Sequence, residues 1–174
     1  MSSAVAHTIC FTALLVFSIV IVQFAQNIQQ KSVERAAMTC ASEIALRISQ
    51  DIVSLMAIAE KSNSSKLVLI KKINIPTHIA NQGYVIKLTT MNGFYVVVVK
   101  LDMWSWIEAW SEIPVNSSST NIIVMLEEGS LTYENYVIHY SSELLSGAKD
   151  PVVWLVKDGD RITVGIGVME CASQ

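Results

Sequence analysis

The chain begins without charge. Its first thirty residues, MSSAVAHTICFTALLVFSIVIVQFAQNIQQ, contain no Asp, Glu, Lys or Arg, although 16% of the 174 residues are charged. A cleavable secretory signal combines a basic start, a short apolar core and a small-residue cleavage site. Here the start is uncharged and QFAQNIQQ continues in helix-compatible residues, so removal at the far end of this run is not expected. Residues that carry chemistry are scarce as well. Cys10, Cys40 and Cys171 are far apart and form no CxxC and no mixed Cys/His spacing, so neither a zinc site nor a disulfide framework is indicated. Cys10 and Cys40 are expected as small buried hydrophobes, a Cys40–Cys171 bridge in an oxidising setting being the one pairing left open. His7, His78 and His139 are not spaced as metal ligands, and His139, in YVIHY, reads as a strand residue on a solvent or sheet face. There is no GxSxG, no GxGxxG and no phosphate-binding loop. Gly165-Ile166-Gly167 lies in a strand pattern without the helix a dinucleotide site needs, and Glu127-Glu128 before Gly129 reads as a solvated turn. The net charge of −3 offers no broad basic surface to a phosphate backbone, so no nucleic-acid partner is expected. No catalytic residue, metal or cofactor is expected, and the chain is not read as an enzyme.

What is present is apolar length. From Ala4 to Ala25 only His7, Thr8, Thr12, Ser18 and Gln23 interrupt the run, which reaches the ~20 residues a helix needs to cross a bilayer. The next segment, KSVERAAMTCASEIALRISQDIVSLMAIAE, contains no Gly or Pro. Its apolar residues Val33, Ala37, Cys40, Ile44, Ile48, Ile52, Leu55 and Ala59 recur in steps of three and four, one stripe of an α-helix. Glu34, Arg35, Glu43, Arg47, Gln50 and Asp51 occupy the other side. A helix from about Ala4 to Glu60 would run roughly 85 Å, and KSNSSK at 61–66 stops it.

After residue 66 the pattern becomes β. KLVLIKKI, GYVIKLTT, GFYVVVVKL, NIIVMLEE, LTYENYVIHY, PVVWLVK and RITVGIGVM are short Val-, Ile-, Tyr- and Thr-rich runs between turn residues. Asn92-Gly93 and Asp158-Gly159 mark tight hairpins. FYVVVV lacks alternation, so that strand is expected to be covered on both faces. The fold class expected is α+β: a long N-terminal hydrophobic-to-amphipathic α-helix followed by an antiparallel β-sandwich or barrel-like domain of about seven strands. Three regions follow: 1–30, a transmembrane or filament-core helix; 31–62, its amphipathic continuation; and 66–174, a β-rich extracytoplasmic domain.

Two further features bear on function. Asn63-Ser64-Ser65 and Asn116-Ser117-Ser118 fit the N-glycosylation pattern and lie in Ser-rich breaks between elements. In LDMWSWIEAWSEIP, Trp104 and Trp106 share a strand face by the period of two, and Trp110 joins them if the segment bends into a helical turn. Such a cluster either presents an aromatic contact surface to a sugar or protein, or packs over the sheet edge and the helix; the second is expected.

An uncharged apolar helix that continues as an amphipathic one and leads into a Val-rich β domain resembles the archaeal type IV pilin superfamily, which includes archaellins, adhesive pilins and the pilin-like stator subunits of the archaellum. The likeness covers the whole architecture. It is strongest in SSAVAHTICFTALLVFSIVIVQFAQNI, where Ser2-Ser3-Ala4-Val5 precedes a long aliphatic run. NIPTHIANQGYVIKL, with Pro76 and Gly83 flanking the approach to a strand, is similar to the first β segment of several family members. The chain departs from the family in having no Lys or Arg before Lys31, where pilins carry a basic and a small residue for the leader peptidase, and in having Val5 where bacterial pilins place an acid.

The resemblance implies a structural subunit of an archaeal cell-surface filament, with helices bundled in the core and β domains outside. Its partners are copies of itself through Ala4, Val5, Ala13, Leu14, Phe17, Val20, Phe24, Ile28, Ile44 and Ile48, after or instead of residence in the membrane. Small residues such as Ala13 and Ser18 allow close helix approach. A second reading keeps the helix in the membrane and lets the β domain bind a cell-envelope protein or glycan, as stator subunits do. A third is a tethered carbohydrate-binding or adhesion module using Trp104, Trp106 and Trp110. Lys31 and Arg35 after the span would by the charge rule hold that side in the cytoplasm; the paired sequons and the resemblance imply an extracellular β domain instead, on a membrane anchor or in an extracellular filament.

Overall fold

The computed structural model of the chain describes residues 3–171. One helix, α1 (Ser3–Lys61), precedes ten strands: β1 (Lys66–Lys72), β2 (Tyr84–Met91), β3 (Phe94–Leu101), β4 (Glu108–Asn116), β5 (Ile122–Val124), β6 (Gly129–Tyr133), β7 (Tyr136–Tyr140), β8 (Glu143–Leu145), β9 (Pro151–Asp158) and β10 (Arg161–Cys171). The α+β class with a β-sandwich is therefore present. The chain divides into two compact units, Met1–Ala36 and Ala37–Gln174. The described residues of the first are helix alone.

In the second unit the helix residues from Ala37 onward and both sheets share one core. Ala37, Ala41, Ile44, Ala45, Ile48, Ile52, Leu55, Met56 and Ala59 are buried at helical spacing, and Ser49 among them sends its hydroxyl to the Glu112 carbonyl at 2.7 Å. Ile52, Leu55 and Ala59 fall where the periodicity puts them. Val33 (39% exposed) and Cys40 do not: Ala41 and Ala45 stand on the stripe instead, and their small side chains let the β strands pack closely. The helix stops at Lys61, where the Lys157 ammonium reaches the Ala59 and Ser62 carbonyls at 2.8 and 2.7 Å. The Ala59 carbonyl also accepts the Ser62 N–H at 3.3 Å, and the cation on these terminal carbonyls is a C-cap supplied from β9.

One sheet has the order β1-β9-β10-β7-β6, with β5 also on β10; the other has the order β4-β3-β2-β8. β3 is central, and Tyr95 to Val99 are all buried, as its unbroken apolar run requires. Asn92 and Gly93 close the β2–β3 hairpin with φ of 53° and 83°. The second hairpin is centred one residue later than expected. Asp158 pairs with Arg161, leaving Gly159 (φ 61°) and Asp160 in the loop.

Ten strands rather than seven arise at three places. LTYENYVIHY is two strands, split by Glu134-Asn135 with Glu134 at φ 51°. The Trp-rich segment ends in β4, an edge strand. It accommodates Pro114 because a register shift between Phe94 and Tyr95 removes the need for its missing N–H. β8 is a three-residue strip on β2. NIIVMLEE contributes only Ile122–Val124, which pairs parallel to β10 where an antiparallel partner was expected.

Gly165 and Gly167 have a packing reason. A Cβ on Gly165 would sit 2.7 Å from the Trp154 ring, and one on Gly167 would sit 2.5 Å from the His139 carbonyl. Trp154 anchors a second, smaller core with Ile138 and Val152, against which Leu131, Tyr140 and Ile70 pack. Tyr140 tilts over its indole at 5.0 Å.

Candidate membrane and assembly surface

The N-terminal unit presents apolar side chains to the outside on every face. Val5 (54% exposed), Leu14, Phe17 (62%), Val20, Phe24 (68%) and Ile28 are all exposed, as are Ile9, Phe11 and Val22 between them. At 100° per residue such positions cover the whole circumference, so no face is reserved for packing within this unit. Ala13 lies in a shallow notch bounded by Ile9, Thr12, Val16, Phe17 and Val20. The side chain of Ala4 lies outside the described residues.

Two hydroxyls of this segment are satisfied locally. Thr12 Oγ1 donates to the Thr8 carbonyl and Ser18 Oγ to the Leu14 carbonyl, each at 2.8 Å. These i−4 bonds keep polar hydrogens away from hydrocarbon, where an unsatisfied donor costs several kcal/mol by order of magnitude. Past the apolar run, Gln30 Nε2 donates to Glu34 Oε1 at 3.1 Å. One helix of the chain is thus long and apolar enough to cross a membrane.

Two of the assembly residues expected from sequence are placed elsewhere. Ile44 and Ile48 are 6% and 0% exposed inside the chain's own β-domain core, so they are not on an assembly surface. The stripe that reads as an interface along a long helix is consumed within the chain's own core.

The tryptophans divide. Residues 102–107 form a turn rather than a strand, closed by the Ile107 N–H on the Trp104 carbonyl at 2.7 Å. In it Trp104 and Trp106 stack with centroids 6.4 Å apart and planes at 27°. Trp104 is half-buried against the core, as expected, but Trp106 and Trp110 are 65% and 56% exposed. Trp110 lies on β4 opposite Val98 and makes no ring contact with the other two. The fully packed indole is Trp154, which sequence reasoning did not single out. The Gly-x-Gly opposite it in β10 was the available signal.

Asn63 and Asn116 are both exposed, Asn63 in the connection after α1 and Asn116 as the last residue of β4. The three cysteines are free and exposed, so neither the buried role expected for Cys10 and Cys40 nor the Cys40–Cys171 bridge is found. His139 is a solvent-facing β7 residue 3.9 Å from Glu170. Among the described residues no three His, Cys, Asp or Glu side chains converge as a metal site would require. A cleft of about 350 Å³ beside the helix is lined by Cys40, Glu43, Arg47, Asn74 and Pro76, and its guanidinium is already donated to the Asn74 carbonyl at 3.0 Å. Three ion pairs brace the β domain, Lys71–Asp51, Lys72–Asp150 and Lys87–Glu143. The hydrogen bond from Lys72 holds the Asp150 carboxyl below its ordinary range and the Lys72 ammonium above its own. None of these groups is arranged around a reacting position.

No protein-family model matches the chain, and neither a curated protein nor a solved structure matches it.

Proposed function

We propose that the chain is a structural subunit of a cell-surface filament of the archaeal type IV pilin kind, held first in the membrane and then among copies of itself by its N-terminal helix. The observation that carries this reading is the contrast within α1. Residues before Ala37 expose aliphatic and aromatic side chains all round, whereas residues after it bury a single stripe in their own domain. An all-round apolar helix needs a partner on all sides, and a bundle of identical helices supplies one. Each aliphatic side chain taken from water into such a bundle contributes roughly 1.5–3 kcal/mol, and much less when the starting point is lipid. The assembly surface is then Val5, Ala13, Leu14, Phe17, Val20, Phe24 and Ile28, without Ile44 and Ile48. The β domain forms the outer, extracellular layer, with a glycan or envelope protein as a further partner.

Electron microscopy of sheared surface material from cells expressing the chain, with mass spectrometry of the filament fraction, tests this. The chain is expected in filaments. Filaments that lack it while it stays in the membrane fraction would overturn the proposal.

The second reading, a permanent anchor whose β domain grips the cell envelope as stator subunits do, is favoured by one observation. Thr12 and Ser18 bond to their own helix, so these two hydroxyls ask for no neighbouring subunit. Retention in the membrane fraction together with envelope cross-links from the β domain would select it.

A further inference from the structure

The two sequons are equivalent as sequence and unequal as structure. At Asn116 the side-chain oxygen accepts both the Ser118 N–H at 2.9 Å and the Ser118 hydroxyl at 2.7 Å. The Ser119 N–H returns to the Asn116 carbonyl at 2.9 Å, closing the turn. The hydroxyl two residues on, which the acceptor pattern demands, is therefore already on the acceptor amide, and the Nδ2 group is left without a partner on an exposed side chain. Asn63 has none of this. Ser64 Oγ is spent on the Lys66 carbonyl at 2.6 Å, and Ser65 gives no bond to Asn63 while its carbonyl holds the Gly159 N–H at 2.7 Å.

Position adds a second, independent observation. Asn116 ends edge strand β4 and is the register partner of Phe94, which in turn pairs with Met91 across the β2–β3 hairpin. Phe94 and Met91 are 39% and 38% exposed, a hydrophobic corner that the domain covers only in part. A hydrated glycan rooted opposite Phe94 would shield that corner from contact with other chains.

We infer that Asn116, and not Asn63, is the site of N-linked glycan attachment, with a polyprenyl-phosphate-linked oligosaccharide as donor. In the transfer, Asn116 Nδ2 bonds to the anomeric carbon of the reducing-end sugar and gives up one proton, which passes to water or to the departing phosphate. The anomeric C–O bond to phosphate breaks, and the polyprenyl phosphate leaves with the electron pair. The Ser118 hydroxyl on Oδ1 makes the Nδ2 proton easier to lose. This inference rests on the extracytoplasmic placement of the β domain proposed above.

The test uses the full chain expressed in cells with a membrane-bound N-glycosylation system. Glycopeptide mass spectrometry is combined with labelling of exposed Cys171 in intact cells by a membrane-impermeant maleimide, in a Cys10→Ser, Cys40→Ser background. Asn116→Gln is expected to lose the glycan mass, Asn63→Gln to keep it, and Ser118→Thr to keep it. Asn116→Gln is also expected to shift detergent-solubilised protein toward aggregates in size-exclusion chromatography, a shift reversed by adding Phe94→Ser. Glycan on Asn63 alone, or equally on both, would overturn the assignment. Unmodified protein whose Cys171 is labelled from outside would overturn it with the topology intact. Unmodified protein whose Cys171 is protected would overturn the topology, and the assignment with it.

Discussion

Two halves of one helix obey different rules. Up to Ala36, α1 exposes large apolar residues in every direction, while from Ala37 it buries a narrow stripe of Ala, Ile, Leu and Met and turns Glu43, Arg47 and Gln50 outward. Both halves are rich in aliphatic side chains, so composition alone does not separate them. What separates them is where the partner surface resides. The second half carries its partner in the same chain, as the two sheets; the first half has no partner among the described residues of its own unit. Burial of the second half is intramolecular, and on the proposed reading that of the first would be intermolecular, in lipid or in other helices.

Substitutions can sharpen or break this contrast. The largest effect is expected for Ile48→Ala, which opens a cavity at a fully buried position and should cost about 2–5 kcal/mol in denaturant unfolding of detergent-solubilised protein. Phe17→Ala, in the same assay, should leave β-domain unfolding within about 0.5 kcal/mol. Comparable losses at both positions would erase the distinction. Next, Leu14→Lys places a charge near the middle of the apolar run and should disfavour membrane insertion by about 2.5–3.5 kcal/mol, read as the fraction of chain in carbonate-washed membranes.

A third effect lies in alkaline solution. Burial pushes the Tyr84 phenol up to about 12, while its hydroxyl donates to the Pro76 carbonyl. Its folded value is raised above the ordinary ~10, so the stabilisation is complete below about pH 10 and is lost as pH rises from there toward about 12. The loss is on the order of 2–3 kcal/mol, and Tyr84→Phe should flatten this limb of the stability profile. The smallest effect is expected at the helix–sheet contact. Ser49→Ala leaves the Glu112 carbonyl without its donor and should cost about 1 kcal/mol, measured by thermal unfolding.

Much of the architecture was legible in the sequence because it rests on periodicity. The switch from a 3.6-residue to a two-residue period fell at KSNSSK, where α1 ends, and the unbroken FYVVVV run announced a strand covered on both faces. Turn chemistry was legible where one residue dictates it, as at Asn92-Gly93. It was obscured at Glu134, which adopts a positive φ without being Gly or Asn and so hides a hairpin inside what reads as one strand. Long-range pairing was not legible. β5 joins β10 in parallel through three residues, and no local pattern encodes that choice. The surface of the N-terminal helix followed from composition, but the loss of Ile44 and Ile48 from it did not. A stripe at helical spacing specifies that something will cover it without specifying whether that cover belongs to the same chain.

The indole that lies over Gly165 also makes the molecule report on itself. Trp154 is 2% exposed, its Nε1 has no hydrogen-bond partner, and its surroundings are aliphatic and aromatic. Its fluorescence should accordingly be blue-emitting and sheltered from acrylamide. Trp106 and Trp110, more than half exposed, should emit to the red and quench readily. A single emission spectrum therefore carries two channels: the red edge senses whatever comes to rest on the domain's exterior, and the blue edge senses whether β9 and β10 are still joined beneath the ring.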